Sequence, residues 1–285
     1  MRRSQRGFTL VELVVTITLT TIVVSFMAMF VAGPVRAYND QTRRAELVDV
    51  AENSLRRIAR DIRAALPNSV RVASSGGAVA LEMLNTVDGV RYRDRPPGNP
   101  TKRLRFSAPD NAFNSVGQFS GITRPFSSAT HYLSIYNVGV PGANAYELAN
   151  VITPPGTRID IDADSIADED NVRMTPAYQF AFASPGQRVY LVDQPVSYIC
   201  DPATGTLARY AGYSITANHA DRDSGGELLG AGASATLVAD NIASCSVTYT
   251  PGTAQRSGLV TLAMSVSEAG ETVSLLHQVH VDNVP

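Results

Sequence analysis

The chain has no tryptophan, only two cysteines and only four histidines among its 285 residues. It also lacks the common enzyme patterns: G-x-S-x-G, the Walker A loop, H-E-x-x-H, paired C-x-x-C, and G-x-G-x-x-G after a strand. There is no internal repeat of fixed period and no Ser/Thr/Pro low-complexity stalk. We therefore expect a protein that is not an enzyme and is not built from repeats.

Positive charge is scarce as well. The formal net charge is -2, and without the three arginines of the first seven residues, MRRSQRG, there are 21 basic against 26 acidic residues, or -5. Nucleic-acid binding favours a basic face, so this balance argues against it. With 44% hydrophobic and 18% charged residues, the bulk of the chain is typical of a globular protein.

The longest uncharged stretch lies near the N-terminus. From Leu13 to Val35 the chain has 23 residues without a charge, which as a helix can cross a hydrocarbon core of about 30 Å. Three arginines precede this run and only Arg36 follows it closely, which predicts a cytoplasmic N-terminus and an exported remainder. A cleaved secretory signal is the alternative, but its apolar region is typically about 7 to 15 residues long. We expect a single membrane-spanning helix.

An acidic residue stands just before that run. Glu12 would cost a few kcal/mol in a membrane without a partner. The string GFTLVEL, Gly7 to Leu13, resembles the class III signal of type IV pilins and type II secretion pseudopilins. The resemblance implies cleavage after Gly7 by prepilin peptidase, N-methylation of Phe8, and pairing of Glu12 with the N-terminal amine of a neighbouring subunit. A generic signal anchor with an incidental glutamate is the alternative.

The resemblance also implies an α+β fold of lollipop form, with a long N-terminal helix whose outer half packs on a β-rich head. We expect a leader over residues 1–7, a transmembrane and filament-core half of the helix over 8–35, an amphipathic half over 36–66, and a periplasmic head over 67–285. Apolar residues at spacings of three and four support the second half of the helix: Leu47, Ala51, Leu55, Ile58, Ile62 and Leu66. Gly33-Pro34 predicts a kink, and Pro67 predicts a helix end near Leu66.

The head has the pattern of a β-rich domain. Short apolar or alternating runs recur between Gly, Pro and Asn residues, which predicts strands. These runs are 79–84, 103–107, 132–138, 178–183, 188–192, 196–200, 242–249, 258–266 and 272–281.

Both cysteines, Cys200 and Cys245, fall in the exported part. Oxidising compartments favour pairing, and a loop of about 45 residues closed by a disulfide would stabilise the fold by about 4 kcal/mol. Two buried thiols too far apart to bridge are the alternative.

An acidic stretch follows the pattern of a calcium loop in part. Asp160, Asp162, Asp164 and Asp168 stand at its first, third, fifth and ninth places. Ser165 replaces the turn glycine, and Asn171 replaces the bidentate glutamate. A solvated acidic loop is the main interpretation, and a weak Ca²⁺ site is the alternative.

Segments of the C-terminal third carry a narrower resemblance, to minor pilins of the mannose-sensitive haemagglutinin (MSHA) pilus system. They are PVSYICD from Pro195, LVADNI from Leu237, SCS from Ser244, GLVTL from Gly258, and the ending LLHQVHVDNVP; ALPNSVRV after the helix agrees. This resemblance implies a minor pilin that helps to initiate or assemble a pilus.

The implied partners are other major and minor pilins, prepilin peptidase and the inner-membrane assembly platform. The implied location is the inner membrane, single-pass with a periplasmic head, and then the pilus. A minor pseudopilin of type II secretion is one alternative, and a membrane-anchored periplasmic binding module is another.

Overall fold

The computed structural model describes residues 7–94, 102–253 and 256–283. The leader residues before Gly7 lie outside this part of the chain. One long helix, α1, comes first, and thirteen described strands and a short helix follow. The α+β class, with a long N-terminal helix before a head rich in antiparallel sheet, is confirmed. The elements are α1 (Leu10–Arg63), β1 (Arg71–Ser75), β2 (Ala78–Tyr92), β3 (Asp110–Val116), β4 (Phe126–Ser128), β5 (Tyr132–Ser134), β6 (Arg158–Ala163), β7 (Asp170–Tyr178), β8 (Arg188–Asp201), β9 (Thr206–Ala211), α2 (Gly225–Gly230), β10 (Ser234–Ala239), β11 (Ile242–Thr250), β12 (Gly258–Glu268) and β13 (Glu271–Val281).

The chain divides into two compact units, Met1–Asp49 and Val50–Pro285. The first contains most of α1. The second contains the last part of α1 and all the strands.

Helix α1 is unbroken across Gly33 and Pro34. It ends at Arg63, three residues before the predicted end. The reason is pairing with the sheet: the Leu66 N–H donates to the Leu84 carbonyl at 2.8 Å, and the Thr86 N–H donates to the Ala64 carbonyl at 3.0 Å. These bonds satisfy backbone groups that another helical turn would have used.

The strands of the head form two antiparallel sheets. Within the described residues, the larger sheet follows the order β10-β9-β8-β2-β3-β7-β6-β4, with β1 also on β2 and β5 also on β8. The smaller sheet has the order β11-β12-β13.

Within the second unit, the buried stripe of α1 from Ala51 to Ile62 belongs to the core of the head. Leu55 and Ile58 line one small cavity together with Leu81 and Tyr198 of the larger sheet and Leu262 of the smaller sheet. The helix therefore meets both sheets at one point. All six predicted stripe residues are buried.

Several strand predictions need correction. The runs 103–107 and 178–183 are not strands, apart from Tyr178 at the end of β7. Leu104 and Phe180 are buried there, so their pattern reflects core contacts of irregular chain. The runs 188–192 and 196–200 are one strand, β8, in which Pro195 pairs with Leu84 and the register with β2 shifts between Pro195 and Val192.

Candidate functional site

The candidate site is the N-terminal segment before and at the start of α1. Gly7, Phe8 and Thr9 precede the helix, and all three are exposed. A Cβ atom built on Gly7 meets no atom within 4 Å. The fold of the described chain therefore does not require glycine here, and any requirement for it comes from another molecule.

Glu12 occupies the third position of the first helical turn. The Thr9 hydroxyl accepts the Glu12 N–H at 3.3 Å, which makes Thr9 the N-cap of α1. A carboxylate this close to a helix N-terminus is favoured by the helix dipole. The role of Thr9 was missed at the sequence level, although Thr-x-x-Glu before an apolar run is a known capping pattern.

The first part of α1 is apolar, and its side chains are not buried against any other part of the described chain. Every residue from Gly7 to Thr42 is exposed, and the most apolar window has a mean hydropathy of 2.3. By length and composition, α1 is the one helix among the described residues that could cross a membrane.

Hydroxyl side chains within this segment bond to their own helix. Thr16, Thr18, Thr20, Thr21 and Ser25 each donate to a backbone carbonyl three or four residues earlier. Their polar groups are thus satisfied without water, as an apolar environment requires.

Comparison with known proteins agrees with this geometry. Residues 2–28 match the family model described as the prokaryotic N-terminal methylation motif. No curated protein and no solved structure matches the chain. The matched motif supports the type IV pilin and pseudopilin superfamily, and it implies processing by prepilin peptidase and assembly with other pilins. Such a motif points to a structural protein, and the exposed apolar helix fits anchoring in the inner membrane.

The two cysteines are brought together. Cys200 on β8 and Cys245 on β11 form a disulfide with a Cα–Cα distance of 6.5 Å. It joins the larger sheet to the smaller one.

The acidic stretch forms ion pairs along a strand. Asp160 and Asp162 lie on β6 and pair with Arg158 and Arg173, respectively. Because Ser127 and Arg158 hydrogen-bond to it, the pKa of Asp160 is below its usual range.

The next two aspartates lie beyond the strand. Asp164 pairs with Lys102, and this contact, helped by Asn114 at 2.6 Å, lowers the pKa of Asp164 strongly. Asp168 is exposed in a turn with a φ of 63°.

The four aspartates are therefore not assembled as a loop around one point. No group of three or more His, Cys, Asp or Glu side chains within the described ranges is placed to hold a metal ion. This arrangement favours the solvated, ion-paired interpretation, and calcium binding stays a prediction.

A buried polar network in the head was missed at the sequence level. Glu82 on β2 is fully buried, pairs with Arg71, and accepts the Tyr213 hydroxyl at 2.8 Å. Burial raises the pKa of Glu82, although Arg71 opposes the shift. The one signal in the sequence was a single glutamate inside the apolar run 79–84.

His219 lies beside this network. Its Nε2 is 3.7 Å from a Glu82 carboxylate oxygen. Burial and the charge of Arg71 lower the pKa of His219 to about 4. Arg71 also donates to the carbonyls of Thr216 and Ala217 at 3.0 Å. The network therefore holds the segment before His219 against β1 and β2, which is a structural role.

Proposed function

We propose that this chain is a minor type IV pilin of the MSHA type, similar to MshO, that takes part in initiating or assembling a pilus. Before incorporation it is anchored in the inner membrane through the first part of α1. The observation that carries the proposal is the methylation motif over residues 2–28 on a helix whose first 33 residues are all exposed. The C-terminal segments that resemble MSHA minor pilins support the particular system.

The physical mechanism follows from that exposed apolar helix. In the membrane, lipid covers the side chains that the structure leaves uncovered. On incorporation the same side chains pack against helices of neighbouring subunits, so the helix leaves lipid without exposing apolar surface to water. The head remains outside this helical core and selects the partners it meets.

Glu12 has a specific part in this exchange. A carboxylate and an ammonium are each costly in an apolar environment and are tolerated together. After cleavage, Phe8 carries the new N-terminal amine. Pairing of Glu12 with the amine of the adjacent subunit would favour one axial register over others.

Processing is the first test. Gly7→Ala should block leader removal, whereas Gly33→Ala should not, since a Cβ atom at either position meets nothing within 4 Å. N-terminal mass spectrometry of the protein from membranes should show N-methylated Phe8 in the wild type and in Gly33→Ala. An unprocessed wild-type chain would refute the proposal, and efficient cleavage of Gly7→Ala would refute the assigned role of Gly7.

Assembly is the second test. Glu12→Ala should leave membrane insertion intact and impair co-purification with other pilins. Glu46→Ala is the control, because Glu46 is an exposed acid on the same helix. Equal recovery of partner pilins with both variants would contradict the role of Glu12.

A further inference from the structure

Strand β13 forms one edge of the smaller sheet. It spans 11 residues and pairs with β12 over its whole length without an irregularity in register. In the part of the chain that the structure describes, no strand pairs with its other side. From Thr272 to Val281, one row of its backbone N–H and C=O groups therefore has no partner strand in the described chain and can pair with another extended chain.

This edge lacks the features that normally prevent pairing. Natural edge strands are short, bulged, or carry lysine, proline or inward charges. Strand β13 has no lysine, arginine or proline, and its one acidic residue, Glu271, is at the first position. By contrast, the edge strand β4 has three residues, and the edge strand β10 has six residues and an irregular register.

The outer face beside this edge is uncharged. Of the 31 residues in β11, β12 and β13, only Glu268 and Glu271 are acidic, none is lysine or arginine, and two are histidines, His277 and His280. Both acids adjoin the turn between β12 and β13. Hydroxyl pairs cross this face, such as Ser265 with Ser274 at 2.8 Å. At its centre Leu276 is 66% exposed. Such a surface suits a partner strand that is also uncharged.

The sequence of β13 meets this requirement itself. We propose that the free edge of β13 binds β13 of a second copy of this chain, in antiparallel register about a two-fold axis at Leu276. In this register Leu276 faces its own counterpart, Ser274 faces Gln278, and Thr272 faces His280, all on the exposed face. On the opposite face Val273 meets Val279 and Leu275 meets His277.

The pairing brings no like charges together. The only charged residue of the strand, Glu271, faces Val281. Side chains directly opposite in an antiparallel pair interact at Cβ distances of about 4.5 to 5.5 Å. The two three-stranded sheets would become one sheet of six strands, and the partly exposed Leu275 and His277 would gain neighbours.

Cysteine cross-linking of the full chain tests both the contact and its register. Leu276→Cys places two thiols opposite each other at the axis. Thr272→Cys is the matched control, because it is exposed on the same strand but its two copies would be about 27 Å apart. The double variant Thr272→Cys/His280→Cys restores opposed thiols. We expect mild oxidation in membranes to give cross-linked dimer with Leu276→Cys and with the double variant, and only background with Thr272→Cys.

A second measurement follows the dimer without cross-linking. Leu276→Arg puts two like charges at the axis and should halve the protein mass measured by sedimentation in detergent. Leu229→Arg, at a side chain of α2 that is 55% exposed, should leave the mass unchanged. A monomeric wild type, or equal cross-linking of Leu276→Cys and Thr272→Cys, would overturn the proposal. Formation of the Cys200–Cys245 disulfide in each variant verifies that the head has folded.

This inference is separate from the proposed function. Failure of β13 pairing would leave processing at Gly7 intact, and failure of processing would leave the β13 contact intact.

Discussion

Two parts of helix α1 differ in whether their apolar side chains are exposed or buried. Residues 10–42 of α1 are rich in apolar side chains and are exposed throughout, whereas residues 50–63 carry many charges and bury a narrow stripe. Ile17 in the first part is 57% exposed, and Ile62 in the second is 1% exposed. Isoleucine is therefore exposed in the first part of the helix and forms part of the core in the second.

The difference shows where each part obtains its stability. The second part is stabilised by contacts inside its own compact unit, because its stripe meets both sheets of the head. The first part has no such contacts in the described chain and needs an apolar environment from outside. The exposed apolar surface thus fits anchoring in a membrane, and the buried stripe stabilises the folded head.

Among the changes expected to affect only the head, loss of the disulfide should lower the free energy of unfolding most. Replacing Cys200 and Cys245 by serine should lower the free energy of unfolding of the head by about 4 kcal/mol, because a closed loop with a sequence separation of 45 residues restricts the unfolded chain. Chemical denaturation of the oxidised and variant proteins measures this. If the variant still inserts into membranes normally, the first part of α1 does not depend on the stability of the head. Loss of both membrane insertion and head stability would contradict the difference between the two parts of α1.

A matched pair of isoleucines gives the most direct test. Ile62→Ala removes a fully buried side chain and should destabilise the head by about 3 kcal/mol. Ile17→Ala makes the same chemical change at an exposed position and should leave unfolding of the head within about 0.5 kcal/mol of the wild type. Equal destabilisation by the two variants would show that both parts of α1 contribute to the stability of the head.

An ion pair at the end of the helix should contribute less. Asp61 accepts hydrogen bonds from the Tyr198 hydroxyl at 2.8 Å and from Arg209 Nε at 2.7 Å. Asp61→Ala leaves both donors without this partner and should cost about 2 kcal/mol. Asp40→Ala, which removes an exposed acid from the first part of the helix, residues 10–42, is the control and should have little effect on denaturation of the head.

Near neutral pH the smallest expected effect on stability comes from His219, whose contribution appears as an acid sensitivity of the head. The pKa of His219 is about 4 in the folded chain, against a usual value of 6.5. Between pH 6.5 and pH 4, His219 is therefore protonated in the unfolded chain but neutral in the folded chain. The free energy of unfolding falls as the pH is lowered through this range. Burial raises the pKa of Glu82, whose contribution has the opposite sign because it is lost as pH rises.

His219→Gln should remove the histidine contribution and leave that of Glu82. Denaturation curves at pH 6.5 and pH 4.5 should show a smaller decrease in the variant than in the wild type. A decrease of the same size in both would mean that other groups determine the acid sensitivity.

Sequence patterns predicted the helix far better than the head. Helical periodicity identified all six buried stripe residues, and its end was missed by three residues because Leu66 pairs with Leu84, a contact between distant parts of the chain. Strand β6 was missed because its aspartates are typical of a loop. They are tolerated in the sheet because Arg158 and Arg173 pair with them. The runs 103–107 and 178–183 were wrongly predicted as strands, since buried irregular segments have the same apolar pattern.

At the candidate site too, features set by neighbouring residues were predictable and features set by distant contacts were not. Gly7, Phe8 and Glu12 belong to a contiguous motif and could be predicted as candidate residues without a structure, whereas the cap from Thr9 depends on where the helix starts. Glu82 and its partners Arg71 and Tyr213 are far apart in sequence, so no local pattern could show that they form one buried network.

The amino-acid sequence alone determined the apolar helix, the processing motif, the buried stripe and the two cysteines, because each depends on residues close together in the chain. Only the tertiary structure decided the order of the strands, the buried network around Glu82 and the open edge at β13. These depend on which distant segments pair, and that choice is made by the packing of the whole head.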